Sequence, residues 1–328
     1  MKHLKQNMFI YGLVASIVLA LSVSQLDTLN NGEWIVSAQP FKWWLIALIF
    51  FFQGLGLPRY AFKDYSISLN ICLAVLFWNY IGAILCAYFI FMPTLQPNAV
   101  LGFFFLTMAP STIALSVSYT DLSGGDVSQA LVSTCISNFL GTFILPVSFI
   151  LVYRMGEGSV DLSRIGILIE RVLLCLFIPL FLGYGLRYYG PKIFQKLLIW
   201  KKYIIEGLLL ILIFNAFLTC FCQTFIGEEF MISGIEFIRI ISYALGLFTI
   251  VSYLVWQNGR CLKLQRGRQI AFFFTASQKS ICSGIPLILL TIDTFGFEIE
   301  TGFILLPLVS YYFYQTLFGA WIVRILCK

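Results

Sequence analysis

Ten runs of mostly apolar residues, each about as long as a bilayer core is thick, are strung along this chain with short polar breaks between them. A helix that crosses a membrane needs roughly 20 such residues, and inside lipid only helices and closed barrels satisfy their own backbone groups. The runs fall near 8–24, 43–57, 67–92, 98–120, 127–153, 164–188, 203–226, 234–256, 269–292 and 301–325. They predict an all-α polytopic membrane protein of ten transmembrane helices. Composition agrees: 60% of the 328 residues are hydrophobic and 11% are charged, where a soluble domain carries about 25% charge. No hydrophilic stretch is long enough for a separate soluble domain. The N-terminal stretch MKHLKQNMFIYGLVASIVLALSVS resembles a signal peptide. Its apolar run is long for one and lacks a small-x-small cleavage site, so it is kept as the first span.

Charge placement gives an orientation. With ten spans, the termini and even-numbered loops share one side, which collects Lys2, Lys5, Arg59, Lys63, Arg187, Lys192, Lys196, Lys201, Lys202, Arg260, Lys263, Arg266, Arg268, Arg324 and Lys328. The opposite side holds Lys42, Arg154, Arg164, Arg171, Arg239 and most of the acids. Basic loops stay in the cytoplasm, so both termini are expected there. Five spans per half then insert in opposite senses, the plan of inverted repeats (about 1–155 and 156–328). The same lysines and arginines account for the net charge of +6. They imply contact with the lipid bilayer and no nucleic-acid partner.

Two stretches interrupt their runs in corresponding places. Phe103–Ser116 reads FFFLTMAPSTIALS and Phe272–Pro286 reads FFFTASQKSICSGIP. Paired interruptions of this kind point to a transporter binding site. A lysine at mid-membrane costs about 2.5–3.5 kcal/mol on insertion scales, so Lys279 should face protein or water. Both segments are expected to break, near Pro110 and near 278–280, the second beside Gly284-Ile285-Pro286, and their breaks to cross. Along span 5, Thr134, Asn138 and Gly141 share one face, with Ser133 and Ser137 beside it. Asn79 and Asn215 are further amides within spans. Hydroxyls packed against a neighbouring helix are the plainer reading of any single serine or threonine. For Lys279 the plainer reading is a structural ion pair or a cap on freed carbonyls.

Enzymatic readings find little support. The only histidine is His3, and Cys220-Phe221-Cys222 lacks the second ligand pair that zinc needs. No aspartate pair lies within a span for an intramembrane hydrolase.

Ala109-Pro110-Ser111-Thr112, then Ser116, Tyr119-Thr120, Gly125-Asp126-Val127, Ser137-Asn138 and Pro146 resemble the central motif of the bile acid:sodium symporter superfamily. Phe274–Ser280 with Gly284-Ile285-Pro286, and Ile49–Leu57, are similar to its SBF-like branch, prokaryotic relatives of a calcium-linked solute carrier. The resemblance implies a single transporter unit over 1–328, with a panel (spans 1, 2, 6, 7), a core (spans 3, 4, 5, 8, 9, 10), crossed breaks in spans 4 and 9, and alternating access. It places the protein in the bacterial inner membrane. Matched by motif, one sodium site of the family falls on Leu115, Ser116, Thr134, Asn138 and Phe274, so its helix-9 glutamate is missing. A second falls on Leu76 and Gln278, next to Lys279.

The expectation is therefore secondary active symport of a small, anionic organic solute, with a proton or Lys279 as a built-in cation in place of two sodium ions. The expected site comprises Ser111, Thr112, Ser116, Thr134, Asn138, Ser277, Gln278, Lys279 and Ser280, between panel and core. A weak sodium site at Ser116, Thr134 and Asn138 is the alternative implied by a sodium-coupled bile-acid-like symporter. A non-transporting regulator of calcium homeostasis is the other alternative. Ten spans predict that single cysteines at residues 30 and 263 are labelled from opposite sides of the membrane; labelling from the same side contradicts the count.

Overall fold

The computed structural model describes residues 2–27, 33–56, 68–157, 162–189, 193–226, 234–295 and 301–327. The expected end of span 2 near residue 57 and loop charges such as Lys63, Glu228 and Glu298 lie outside them. The described residues are helical, with no strand among them. The helices are α1 (Lys2–Asp27), α2 (Glu33–Leu55), α3 (Leu69–Phe77), α4 (Ala83–Ile90), α5 (Pro97–Met108), α6 (Ile113–Leu122) and α7 (Val127–Glu157). They continue with α8 (Leu162–Val172), α9 (Ile178–Tyr189), α10 (Ile193–Ile226), α11 (Gly234–Cys261), α12 (Arg266–Ser277), α13 (Ile281–Phe295) and α14 (Thr301–Leu326). One π-helical turn, Trp78–Gly82, joins α3 to α4, and another, Leu173–Phe177, joins α8 to α9. Span 7 begins earlier than its hydropathy suggests, because Lys196, Lys201 and Lys202 are good helix formers that extend α10 N-terminally.

Eight helical stretches among the described residues are long and apolar enough to cross a membrane, and α5 with α6, bent by 55°, makes a ninth if counted as one broken span. Phe41–Leu55 is a shorter apolar helix. The protein is an integral membrane protein.

The chain divides into two compact units. Unit 1 comprises residues Met1–Arg59, Ser159–Ser233 and Leu289–Phe303. In it α1 packs along α10, and α2 packs on α9 and the π turn before it. The α2–α9 contact is made by backbone. A Cβ added to Gly54 would stand 2.0 Å from the carbonyl oxygen of Leu180, and one added to Gly183 would stand 2.1 Å from that of Phe51. Small residues let helices approach this closely in lipid, where dispersion replaces the hydrophobic effect. Unit 1 also holds a buried ion pair, in which Lys42 Nζ lies 2.7 and 2.6 Å from the two carboxylate oxygens of Asp293. Arg171 stacks over Trp43 at 4.8 Å and donates to Thr294 Oγ1 at 3.1 Å.

Unit 2 comprises Tyr60–Gly158, Gly234–Ile288 and Ile304–Lys328. α12 is packed against α3, α6, α7 and α11. The most apolar 18-residue stretch within Arg266–Phe295 is 94% buried, against 28–61% for the corresponding stretches of the other spans. This stretch is encased in protein, as its lysine and hydroxyls require.

The glycine contacts yield a signed prediction. Gly183→Ala should lower the thermal unfolding midpoint in detergent, an overpacking cost of about 1–3 kcal/mol. Gly185→Ala, on the same helix but with open space around it, should leave the midpoint unchanged or raise it. Equal effects would contradict the backbone contact.

Candidate functional site

Both expected breaks are present, and each has a local cause. α5 ends at Met108 because Ala109 precedes a proline, which pushes it out of the helical region; its φ and ψ are −63° and 137°. Residues 109–112 are non-helical and α6 restarts behind Thr112. In the second break, Gln278 is extended (φ −103°, ψ 140°) and residues 278–280 are non-helical. Gly284 and Pro286, just beyond this break, lie within α13. Pro286, the sixth residue of α13, lies past the first turn, so the helix carries it at the loss of one i→i−4 bond. A Cβ on Gly284 would meet Leu308 at 3.0 Å and Ala109 at 3.3 Å, so the glycine allows close approach to the first break.

The two breaks cross. Ser280 N–H donates to Pro110 O at 2.7 Å. The Lys279 ammonium, 1% exposed, donates to three backbone carbonyls: Asn79 O at 2.6 Å, Thr107 O at 2.7 Å and Ala109 O at 3.1 Å. Each acceptor is free for a structural reason. Thr107 and Ala109 lie at the C-terminal end of α5, where carbonyls lack helical donors and the dipole is negative. Asn79 lies in the π turn, where the Ala83 N–H goes five residues back to Trp78 O and bypasses the Asn79 carbonyl. An ammonium has three donors, and all three are used. Tyr80 presents its ring to the same ammonium at 5.9 Å.

α14 secures the second break from another side. Gln315 Oε1 accepts from Lys279 N–H and its Nε2 donates to Lys279 O, both at 2.7 Å. One turn earlier, Tyr311 donates to Ser277 O at 2.7 Å. Side chains at i and i+4 thereby replace the helical partners that the unwound backbone gave up. Ser280 caps α13, its hydroxyl accepting from Ser283 N–H at 3.2 Å.

The other expected residues divide into two groups. Ser111, Ser116, Asn138 and Gln278 take part in the crossing. Ser116 Oγ lies 3.0 Å from Phe274 O, 3.2 Å from Gln278 Oε1 and 3.4 Å from Ser111 Oγ. Asn138 donates to Ser111 O and to Thr134 O, and its oxygen accepts from Ser283 at 2.6 Å. Thr134 and Ser277 turn their hydroxyls back to their own helices, to Ala130 O at 2.9 Å and Phe273 O at 2.7 Å. Thr112 is the buried residue that opens α6, with no side-chain cap bond. All nine lie in unit 2.

Ser137 is the hub instead. Its hydroxyl oxygen accepts from Ser111 N–H at 3.2 Å and from Asn79 Nδ2 at 3.1 Å, and lies 3.2 Å from Tyr80 OH. Tyr80 donates to Ser137 O at 2.6 Å, so the serine hydrogen is the one that serves the tyrosine oxygen. A Cβ on Gly141 would stand 2.4 Å from Tyr80 OH, and the glycine leaves room for it. Gln315, Tyr311 and Ser137 were not among the expected residues. Polar side chains in an apolar span were the available signal for all three.

The oxygens matched to the first sodium site are thus engaged within the protein: Ser116 with Phe274 and Gln278, Thr134 with its own helix, Asn138 with Ser283. Phe274 brings a ring where the family resemblance places a carboxylate, and packs on Tyr119 at 5.6 Å. No group of three or more His, Cys, Asp or Glu side chains that could hold a metal occurs among the described residues.

The model of one family matches residues 7–328. The chain belongs to the SBF-like CPA transporter family. It is 25% identical over 295 residues to YfeH of Escherichia coli (strain K12), covering 85% of this chain and 82% of that protein. It is 26% identical over 278 residues to solute carrier RCH1 of Saccharomyces cerevisiae, covering 70% and 63%, and 21% identical over 215 residues to sodium/bile acid cotransporter 7 of Danio rerio, covering 64% and 60%.

The Gln315 clamp carries a test. Gln315→Leu leaves a buried N–H and a buried C=O of Lys279 unpaired, at about 1–3 kcal/mol each, and should lower the unfolding midpoint in detergent well below that of wild type. Thr316→Val removes a hydroxyl that bonds only within its own helix, to Tyr312 O, and should be near neutral. Equal midpoints for the two variants contradict the clamp.

Proposed function

We propose that this member of the family is a secondary transporter of a small organic anion, working by alternating access with ten spans in two inverted halves, both termini in the cytoplasm of a bacterial inner membrane. The observation that carries the reading is the buried Lys279 ammonium at the crossing of two broken helices. α6 and α13 both begin at that crossing, and the N-termini of half-helices favour negative charge. The ammonium has spent its three N–H groups on carbonyls, so it acts on an anion through its field, as a fixed positive charge in a medium of low dielectric.

The coupling follows from the same geometry. The side-chain oxygens at Ser116, Thr134 and Asn138 are occupied by protein partners, and Phe274 contributes no charge. Sodium is therefore not the coupling ion in this proposal. Lys279 supplies in this state the positive charge that a bound ion would bring, and the proton that it gives up and regains between conformations drives net uptake. The names of the relatives, a solute carrier and a sodium/bile acid cotransporter, support transport and leave the solute and the ion of this chain to experiment.

Uptake into proteoliposomes tests this. Labelled carboxylates and sulfonates, with taurocholate as the bile-acid probe, are offered under a pH gradient alone and under a sodium gradient alone. The proposal predicts uptake with the pH gradient, reduced to the level of empty liposomes by Lys279→Gln while solute exchange persists. Sodium-driven uptake that survives Lys279→Gln contradicts it. Absence of uptake under both gradients favours a regulator that does not transport.

A further inference from the structure

The three carbonyls around Lys279 form a cage with a specific chemistry. Asn79 O, Thr107 O and Ala109 O are neutral oxygens of high partial charge, converging at 2.6–3.1 Å on one buried cationic centre. No carboxylate bonds the ammonium, so the cage is matched to a single positive charge; a divalent ion would find nothing to neutralise its second. Rings of backbone carbonyls are how proteins hold dehydrated monovalent cations.

Asn79 carries a second signal. Its side-chain oxygen is buried and has no hydrogen-bond partner, and the residue is 0% exposed. The donors around it are committed. Its own Nδ2 serves Ser137 Oγ and Thr275 O, the hydroxyls of Ser137 and Tyr80 serve one another's residues, and Lys279 has no N–H left. An unsatisfied buried acceptor costs about 1–3 kcal/mol. Here it belongs to the residue whose carbonyl makes the shortest contact with the ammonium.

We propose that Asn79, Thr107 and Ala109 form a monovalent-cation site whose resident is the protein's own tethered ammonium, and that a free ion of similar size takes its place when the tether is removed. The three backbone carbonyls are the ligands. Ammonium and potassium ions are close in radius, and the cage is spaced for a nitrogen, so the order of preference is potassium and ammonium over sodium, with choline excluded by size. The inference rests on reading Lys279 as a fixed cation, but its test involves no transport. A failed uptake experiment would leave it standing, and its own failure would leave the direction and ion dependence of uptake untouched.

The experiment measures thermal unfolding of the full chain in detergent at constant ionic strength in potassium, ammonium, sodium or choline chloride. Wild type should show the same midpoint in all four. Lys279→Ala should have a depressed midpoint in choline that rises saturably with potassium or ammonium, by at least about 2–4 °C, and less with sodium. If Lys279→Ala does not yield folded protein in choline, extraction of it and of Lys279→Met directly into potassium chloride should recover it. A variant with the same midpoint in potassium and choline overturns the proposal. So does a wild-type response as large as the variant's, or failure to recover either variant in any of the salts.

Discussion

A charged amine and three orphaned carbonyls solve each other's problem in the middle of this protein. Ending a helix inside a membrane exposes carbonyls, each of which costs several kcal/mol if no donor reaches it. Burying an ammonium there costs about 2.5–3.5 kcal/mol or more. Lys279 meets both demands at once by donating to Thr107 and Ala109 at the end of α5 and to Asn79 in the π turn. The rest of unit 2 follows from that contact. The π turn is needed to release the Asn79 carbonyl, Gln315 is needed to hold the extended backbone from which the lysine reaches, and Gly284 is needed for α13 to pass Ala109.

The buried Lys42 and the half-buried Arg171 of unit 1 are handled differently. Lys42 meets a carboxylate, Asp293, and Arg171 lies on an indole and a hydroxyl at the next residue. A buried ion pair is a weak source of stability, because desolvation offsets most of the attraction, although removing one partner is costly. Its role here is positional: it fixes the last turn of α13 within unit 1. Beside it a cavity of about 20 Å³, lined by Lys42, Asn215, Thr219 and Thr301 among others, has room for one water. Asn215, a mid-span amide, faces this cavity and is not part of the crossing. Lys279 therefore stands apart from these cations in giving all three of its N–H groups to backbone carbonyls.

Much of this was legible in the sequence. Pro110 wrote the first break, since the residue before a proline leaves the helix and the proline has no N–H to give. Lys279 marked the second, because an unpaired charge in an apolar run demands protein around it. The plainer reading of that lysine, a cap on freed carbonyls, describes the contact in the structure. Other features left no local mark. Nothing in Trp78-Asn79-Tyr80-Ile81-Gly82 announces a π turn, since it costs one redirected hydrogen bond rather than a proline or a pair of glycines. Thr134 and Ser137 are alike in type and one helical face apart; which of them became the hub depended on where Ser111, Asn79 and Tyr80 arrive. Pro286 read as punctuation but sits inside α13, which runs on past it at the loss of one backbone bond. Gln315 was visible as an amide in an apolar span, yet its partner is a backbone 36 residues away that becomes available only once α12 has ended.

The central claim is that a cation at this point holds the crossing together. The most direct test is a pair of experimental density maps, wild type and Lys279→Met, in a buffer whose only cation is choline, at a resolution that places backbone carbonyls. The account predicts the ammonium on the carbonyls of Asn79, Thr107 and Ala109 in wild type, and in the variant a separation of those carbonyls with rearrangement of 109–112 or 278–280. A variant whose three carbonyls keep their positions around the apolar side chain, with both breaks unchanged, would contradict it.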